Sequence, residues 1–302
     1  RSPGAIRPAG GLSLLLRYQP PYDWDAMLDF LRLRAIAGIE HVGGNAYART
    51  IEIDGAQGHV CIEPASGDAL RATIVFPVLS ALPGIIGRIR RVFDLAADPA
   101  AIAAHLSEDP DLARHIARRP GLRVPGAWDG FELAIRAVLG QQITVTAAAR
   151  LAGQLVARHG TPLAEPAGPL THTFPQAAAL ADADLTGLGM PRSRSATLSA
   201  VASASLANPN LFDAHRGLDE AVHDLRAIRG VGEWTAQYIA LRQLREPDAF
   251  PAADIGLMRA LAEPDGTRPS AEAMARRAER WRPWRAYAAQ HLWAADPGLH
   301  AS

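Results

Sequence analysis

The sequence predicts an α+β protein in which a small antiparallel sheet domain is followed by an all-helical region. Before Pro77, apolar and polar residues alternate with period two in several short segments, as in half-buried strands. After Pro77, alanine-rich stretches with helical spacing replace them. With 302 residues, 48% of them hydrophobic, the chain is long enough for two domains with cores of their own.

We divide the chain into a tail at 1–11, an α+β domain at 12–90 and a helical region at 91–302. The tail is rich in Pro, Gly and Arg and has no periodicity. The patterns of the α+β domain predict a strand at 12–16, a helix at 24–31 and strands at 51–53, 60–62 and 70–76. The helical region is predicted to have loops at 161–169 and 264–269, and helices at 82–93, 128–138, 144–158, 192–207, 218–228, 233–244, 255–262, 270–280 and 284–295.

Composition excludes several classes of function. No run of about 18 apolar residues occurs, so we expect no membrane-spanning helix. The ten histidines lack metal-ligand spacing, and the glycine motifs of nucleotide hydrolases and dinucleotide enzymes are missing from the sequence. The single cysteine, Cys61, excludes an internal disulfide and a four-cysteine metal site. We expect Cys61 in the core and the protein in the reducing cytoplasm.

All 31 basic residues are arginine. A Schiff-base mechanism needs an amine that can lose its proton, and a guanidinium cannot, so lysine-dependent covalent catalysis is excluded. The formal net charge of zero argues mildly against nucleic-acid binding. Five arginines near the C-terminus form either a local cationic patch or a solvated helix face: Arg276, Arg277, Arg280, Arg282 and Arg285.

Two glycines lie in the short turn of a predicted helix-hairpin-helix at 218–244. Gly230 and Gly232 have no Cβ to block close approach, and their amides are expected near a helix N-terminus, where the dipole favours an anion. Such a turn suits a phosphate group. The hairpin therefore predicts a grip on a phosphate backbone.

Aromatic and acidic residues follow the hairpin. Trp234 and Tyr238 are four residues apart, so their rings share one helix face. They form either a buried stripe or a surface on which an extruded nucleobase stacks. Asp254 is the N-cap of the next helix, a catalytic carboxylate, or both. Beside a sugar whose base is leaving, an anion would stabilise oxocarbenium-like charge or deprotonate a water.

Several motifs, in this order, resemble the bacterial 3-methyladenine DNA glycosylase II family of the helix-hairpin-helix superfamily. The resemblance covers nearly all of 12–293. The motifs are Gln19-Pro-Pro-Tyr-Asp-Trp24, Arg91-Val-Phe-Asp-Leu95, Arg119-Pro-Gly-Leu-Arg-Val-Pro-Gly126, Leu139-Gly-Gln141, the Gly230–Tyr238 hairpin and Trp281-Arg-Pro-Trp-Arg-Ala-Tyr287.

This resemblance implies a TATA-binding-protein-like sheet domain followed by two helical lobes around a cleft. It implies a monomeric enzyme that flips N-alkylated bases out of double-stranded DNA and excises them hydrolytically in base excision repair, with no required cofactor. It places the catalytic aspartate at Asp254 and the base pocket at Trp234, Tyr238 and Trp293. Trp234 stands where lyase-competent relatives have lysine, so we expect an abasic product without strand cleavage.

The chain departs from the family at several positions. The polar pair Gln141 and Gln142 is either a helix terminus or a plug for the gap left by an extruded base. The resemblance places the wedge at Gln142, where the best-known relative has an apolar residue. Ala253 and Ile255 flank the aspartate, so a second acidic group and an aromatic are missing there. Glu233 puts a negative charge beside the phosphate grip.

Three further expectations concern partners. Some relatives hold a structural monovalent or calcium ion with hairpin carbonyls, and the matching positions are Arg226, Ile228 and Val231. The tail resembles the joint behind an adaptive-response methyl-acceptor regulator, so we expect a piece of a fusion. Two other functions stay open: a DNA-binding or scaffolding module without catalysis, and a glycosylase for deaminated or oxidised bases.

Overall fold

The computed structural model describes residues 10–213 and 217–296. The N-terminal part of the described chain forms a five-stranded antiparallel sheet. The strand order is β1-β5-β4-β3-β2. Leu70, Ala72 and Ile74 of β5 are buried while Arg71 is exposed, as the predicted alternation requires. The strands are β1 (Leu12–Arg17), β2 (Glu40–Gly43), β3 (Ala46–Ile53), β4 (Ala56–Ala65) and β5 (Ala69–Val75).

Two helices bury their apolar faces against this sheet: α1 (Trp24–Arg34) and α2 (Leu82–Val92). Asp23 caps α1 by accepting the N–H of Ala26 at 3.0 Å. The core of the sheet domain continues beyond α2 to Phe93, Leu95 and Trp128. The proposed boundary between 90 and 91 thus falls inside the last turn of α2, and the division of the chain stays a prediction.

Helices make up most of the remaining described chain, which confirms the α+β class. The predicted helices are present with ends shifted by a few residues, while α3, α4 and α7 were not predicted. A π-helical turn at 240–244 extends α10. The helices are α3 (Pro99–Leu106), α4 (Pro110–Arg118), α5 (Gly130–Leu139), α6 (Val145–His159), α7 (Ala177–Ala181), α8 (Arg192–Ala207), α9 (Leu218–Arg226), α10 (Glu233–Ile239), α11 (Ile255–Ala260), α12 (Ala271–Ala278) and α13 (Arg285–Ala295).

One predicted loop is wrong. The segment 161–169 contributes a strand, β6 (Thr161–Ala167), which pairs antiparallel with β7 (Leu170–Thr173). Its prolines are tolerated because a two-stranded ribbon has only edge strands. Leu163 and Leu170 are buried against Cys61 of the main sheet, so the ribbon joins the two halves of the protein. Cys61 lies in the core, as expected.

A buried ionic network also joins the two halves. Arg49 of β3 donates to Glu132 of α5 at 2.7 Å, and Arg136 of α5 donates to both Glu132 and Glu40 of β2. The two arginines lower the pKa of Glu132 to about 2, although burial alone would raise it. The network borders the cavity described below. None of the helices in the described ranges has the length and apolar character needed to cross a bilayer.

Candidate active site

Asp254 is the N-cap of α11, and its carboxylate receives three hydrogen bonds. Oδ1 accepts the backbone N–H of Leu257 at 3.0 Å and the indole N–H of Trp293 at 2.8 Å. Oδ2 accepts the indole N–H of Trp234 at 2.7 Å. The cap predicted from the sequence is therefore present, and the same carboxylate also faces two aromatic side chains. These donors fix the orientation of a negative charge that remains partly exposed.

The three predicted aromatic residues meet around this carboxylate. The rings of Trp234 and Tyr238 stack with centroids 5.2 Å apart and planes 12° apart. Trp293 of α13 meets Tyr238 edge-on, with centroids 6.4 Å apart. All three rings and Asp254 line one cavity of about 610 Å³. The rings pack on each other, as the core interpretation expects, yet they also border a hollow whose volume lies in the range of small-molecule sites.

A second carboxylate lies beside Asp254, which sequence reasoning missed. Asp296, just after α13, is fully buried and accepts hydrogen bonds from Nε and Nη2 of Arg259, at 3.1 and 2.6 Å. A Cβ placed on Gly256 would lie 3.0 Å from Oδ1 of Asp254 and 3.1 Å from Oδ2 of Asp296. A second acidic side chain therefore lies near Asp254, although Ala253 and Ile255 supply none. No local signal could reveal this, because the two aspartates are distant in the chain.

Two arginines border the aromatic end of the cavity. Arg242 is 2% exposed and donates to the carbonyl of Pro125 at 2.8 Å. Burial lowers the pKa of Arg242 to about 10, so its guanidinium stays protonated at neutral pH. Burial alone would raise the pKa of Tyr238, but Arg242 and Arg34 outweigh it and lower that pKa. Sequence reasoning missed both arginines as well.

The predicted hairpin connects α9 to α10. Gly230 has a φ of +87°, and a Cβ there would lie 2.0 Å from Oγ1 of Thr197, so this glycine is required by the fold. Gly232 differs: it has an ordinary φ, is exposed, and faces open space. A group from outside the protein can therefore approach the Gly232 backbone closely. Val231 between them is buried and anchors the turn.

The predicted wedge lies on the turn between α5 and α6. Gln142 is exposed and has a φ of +59°, an uncommon conformation for a side chain of this size. The neighbouring Gln141 donates to the carbonyl of Gly230 at 3.2 Å and to Oγ1 of Thr235 at 3.2 Å. The turn that presents Gln142 is thus tied directly to the hairpin.

An ion pair spans the hairpin. Arg226 approaches Glu233 to 3.0 Å across the turn, which offsets the negative charge noted in the sequence. Of the predicted ion-binding carbonyls, that of Ile228 accepts the N–H of Val231 at 3.0 Å. Within 10–213 and 217–296, no group of three or more His, Cys, Asp or Glu side chains is arranged to hold a metal.

The C-terminal arginines also bind carboxylates of their own chain, which favours the solvated-face interpretation over a free cationic patch. Their partners lie both on the same helix and on neighbouring elements. The pairs are Arg276 with Glu272, Arg277 with Asp111, Arg280 with Asp109, Arg282 with Glu279 and Asp248, and Arg285 with Asp248.

Two family models match the chain. One, described as the AlkA N-terminal domain, matches residues 13–129. The other, described as the HhH-GPD superfamily base excision DNA repair protein, matches residues 135–286, which include the hairpin, Trp234, Tyr238 and Asp254.

The chain is 34% identical to DNA-3-methyladenine glycosylase 2 of Escherichia coli over 92% of its length and 95% of that protein. It is 42% identical to a probable bifunctional transcriptional activator/DNA repair enzyme of Mycobacterium tuberculosis over 97% of its length, but spans only 59% of that relative. Its fold is similar to that of a 3-methyladenine DNA glycosylase from Archaeoglobus fulgidus, with a TM-score of 0.81, 23% identity, and 96% and 100% of the two chains covered.

Proposed function

This chain belongs to the DNA-3-methyladenine glycosylase II family within the HhH-GPD superfamily of base excision DNA repair proteins, and we propose that it excises N-alkylated bases from double-stranded DNA. One observation carries the proposal: the Asp254 carboxylate is held by three donors at the edge of an aromatic cavity of about 610 Å³. A nucleotide turned out of the duplex could place its base in this cavity and its sugar beside the carboxylate.

The proposal assigns DNA binding to the hairpin and the neighbouring turn. Backbone amides around Gly230 and Gly232 bind a phosphate, because Gly232 is exposed and open to close approach. Gln142 enters the duplex and fills the space of the extruded base. The link from Gln141 to the hairpin supports this, since it holds the two DNA-contacting loops in one arrangement. Unstacking the base costs a few kcal/mol, which these contacts offset.

In the proposed reaction, the bond between C1′ of the sugar and the base nitrogen breaks, and both bonding electrons leave with the base. An N-alkylated purine is already cationic, so it departs as a neutral molecule. Asp254 stabilises the positive charge that develops on the sugar. Water then attacks C1′ and loses a proton to the carboxylate or solvent. The product is an abasic site on an uncut strand, because no lysine is available for a Schiff base.

Measuring free methylated base released from alkylated duplex DNA tests this function. We expect release by the native chain and an uncut abasic strand after gel electrophoresis under mild conditions. A chain that binds the duplex but releases no base would instead be a DNA-binding module. A panel of duplexes with alkylated, deaminated or oxidised bases would then give the lesion range, and preference for oxidised bases would contradict the proposed substrate class.

We extend the proposal to a structural cation, monovalent or calcium, held by the carbonyls of Arg226, Ile228 and Val231. The carbonyls of Arg226 and Ile228 lie at and just after the C-terminal end of α9, where the helix dipole favours a cation, and that of Val231 follows in the turn. The Ile228 carbonyl already accepts one N–H, but its second lone pair can still bind an ion. DNA affinity should fall when potassium and calcium are replaced by choline at equal ionic strength; unchanged affinity would argue against the ion.

We also propose that the glycosylase is a monomer and that it lies in the cytoplasm. We further propose that it is fused to a regulator of the methyl-acceptor type. The fusion is supported by the mycobacterial relative, whose name describes a bifunctional protein and of which the chain spans 59%. The mass of the native protein tests it, because a mass equal to these 302 residues alone would rule the fusion out.

A further inference from the structure

Arg242 is a buried cation in the wall of the candidate base pocket. Its side chain leaves the π-helical turn after α10 and is 2% exposed. The guanidinium carbon lies 4.4 Å from the ring centroid of Phe30, 5.1 Å from that of Tyr238 and 5.2 Å from that of Trp293. Arg242 and Asp254 line the same cavity. The aromatic faces that would attract a cationic base are therefore already partly occupied by a cation.

Arg242 donates hydrogen bonds through both of its Nη groups. Nη1 donates to the carbonyl of Pro125 at 2.8 Å, and Nη2 donates to Oε1 of Gln290 at 3.3 Å. The Nε–H is buried and has no hydrogen-bond partner among the described residues. The guanidinium is thus held in the pocket wall by its Nη groups, and it acts on the pocket through its charge.

Trp293 connects this cation to the catalytic carboxylate. Its indole N–H donates to Asp254 at 2.8 Å, and its ring contacts the guanidinium of Arg242. The cavity wall therefore holds a negative charge and a positive charge that both contact Trp293. Cleavage of the bond from sugar to base moves an electron pair toward the base and leaves positive charge on the sugar. Opposite charges arranged in this way favour that movement.

We propose that Arg242 stabilises the electron pair received by the departing base, and that its charge makes the pocket discriminate between neutral and cationic bases. This inference rests on the function proposed above. A cationic base departs as a neutral molecule and a neutral base departs as an anion, so both gain one negative charge and both profit equally in the chemical step. They differ in binding, because Arg242 repels a base that is cationic before cleavage.

The test separates these two effects. Single-turnover rates are measured against enzyme concentration on a duplex with one N7-methylguanine, which is cationic, and on a duplex with one hypoxanthine, which is neutral. Arg242→Gln should lower the maximal rate about 10-fold on both duplexes, a size typical of one electrostatic contact. The enzyme concentration at half-maximal rate should fall about 3-fold on the cationic duplex alone, since a repulsion is removed. Arg242→Lys, which keeps the charge, should restore most of the maximal rate.

Arg91→Gln is the matched control. Arg91 is also a partly buried arginine that donates to backbone carbonyls, at 3.0 and 2.9 Å, but it does not line the cavity. Arg91→Gln should change neither the maximal rate nor the enzyme concentration at half-maximal rate. If Arg242→Gln does not fold, Arg34→Gln replaces it, because Arg34 lies 3.9 Å from the same Phe30 ring and acts on Tyr238. Arg34→Gln should lower the maximal rate on both duplexes and the half-maximal enzyme concentration on the cationic duplex alone, with each change about a third as large as for Arg242→Gln.

Two outcomes overturn the inference. In the first, Arg242→Gln leaves the maximal rates on both duplexes unchanged. In the second, it lowers both maximal rates equally, but the enzyme concentration at half-maximal rate does not respond differently on the two duplexes. Failure of the proposed function is a separate result. In that case the unaltered chain would release neither base faster than Asp254→Asn does. If the unaltered chain releases base and the arginine variants retain its rates and its selectivity, only the role of Arg242 is lost.

Discussion

At the scale of single residues, the Asp254 carboxylate combines a capping bond with two indole hydrogen bonds. Asp254→Asn keeps the shape and one acceptor oxygen, so α11 should remain capped and DNA affinity should change by only a few-fold. Base release should fall about 100-fold or more, as expected when one main electrostatic stabiliser is removed. Binding by fluorescence anisotropy and base release by chromatography check this. Asp265→Asn, in an exposed loop, is the control; preserved release in Asp254→Asn would contradict the catalytic role.

Gly256 gives a second prediction at the same site. A Cβ there would lie 3.0 Å from Oδ1 of Asp254 and 3.2 Å from the Trp293 ring, so Gly256→Ala must shift the carboxylate or the indole. A displacement of this kind should slow base release about 10-fold or more while DNA affinity stays the same. Gly84→Ala is the matched control, because Gly84 is also helical but has open space around it. Equal rates for the two variants would show that the carboxylate position is uncritical.

Local and distant residues of the site differ in how far the sequence could reveal them. Trp234 and Tyr238 share a helix face, and Asp254 begins a helix, so their spacing alone indicated a possible site. Arg242 lies four residues after Tyr238, so the same spacing could have revealed it. Asp296 carries no such signal, because it reaches the cavity only where α13 packs against it, and a tertiary contact of this kind is not encoded in a short pattern.

At the scale of elements, the hairpin contains two glycines with different roles. The fold requires Gly230, whereas Gly232 faces open space. Gly232 is the N-cap of α10, where aspartate is also a favourable cap, so Gly232→Asp should leave stability nearly unchanged. Its added negative charge should weaken DNA binding about 10-fold or more at low salt. Gly217→Asp is the matched control, because Gly217 is the N-cap of α9 and also faces open space. Equal DNA affinity of the two variants would mean that the hairpin does not bind phosphate.

Elements with strong periodicity were predicted well, and elements defined by contacts were not. The strand at 70–76 and the helix at 82–93 have clear patterns and occur as β5 and α2. The ribbon of β6 and β7 contains prolines and glycine and reads as a loop. It forms strands because Leu163 and Leu170 find a buried position against the main sheet, which local propensity cannot indicate.

At the scale of the whole molecule, the network around Glu132 joins the sheet domain to the helices. Glu132→Gln would leave Arg49 buried without its anionic partner, and such a loss destabilises proteins by about 3–5 kcal/mol. The free energy of unfolding from urea titration measures this. Glu272→Gln removes an exposed pair with Arg276 and should cost less than about 1 kcal/mol. A similar small loss for Glu132→Gln would show that the network contributes little to the junction.

The stability of the whole molecule should also depend on pH through His291 of α13. Burial, together with the nearby charges of His115 and Arg119, lowers the pKa of His291 to about 4 from an ordinary value of 6.5. His291 therefore binds a proton below pH 6.5 in the unfolded chain, but only below about pH 4 in the folded chain. The contribution of neutral His291 is complete above pH 6.5 and is lost as the pH falls toward 4, by at most about 3 kcal/mol. His291→Leu should flatten this decline in urea unfolding measured between pH 7 and 4.5, while the exposed His223→Leu should not. If both variants show the slope of the unaltered protein, His291 does not set its sensitivity to acid.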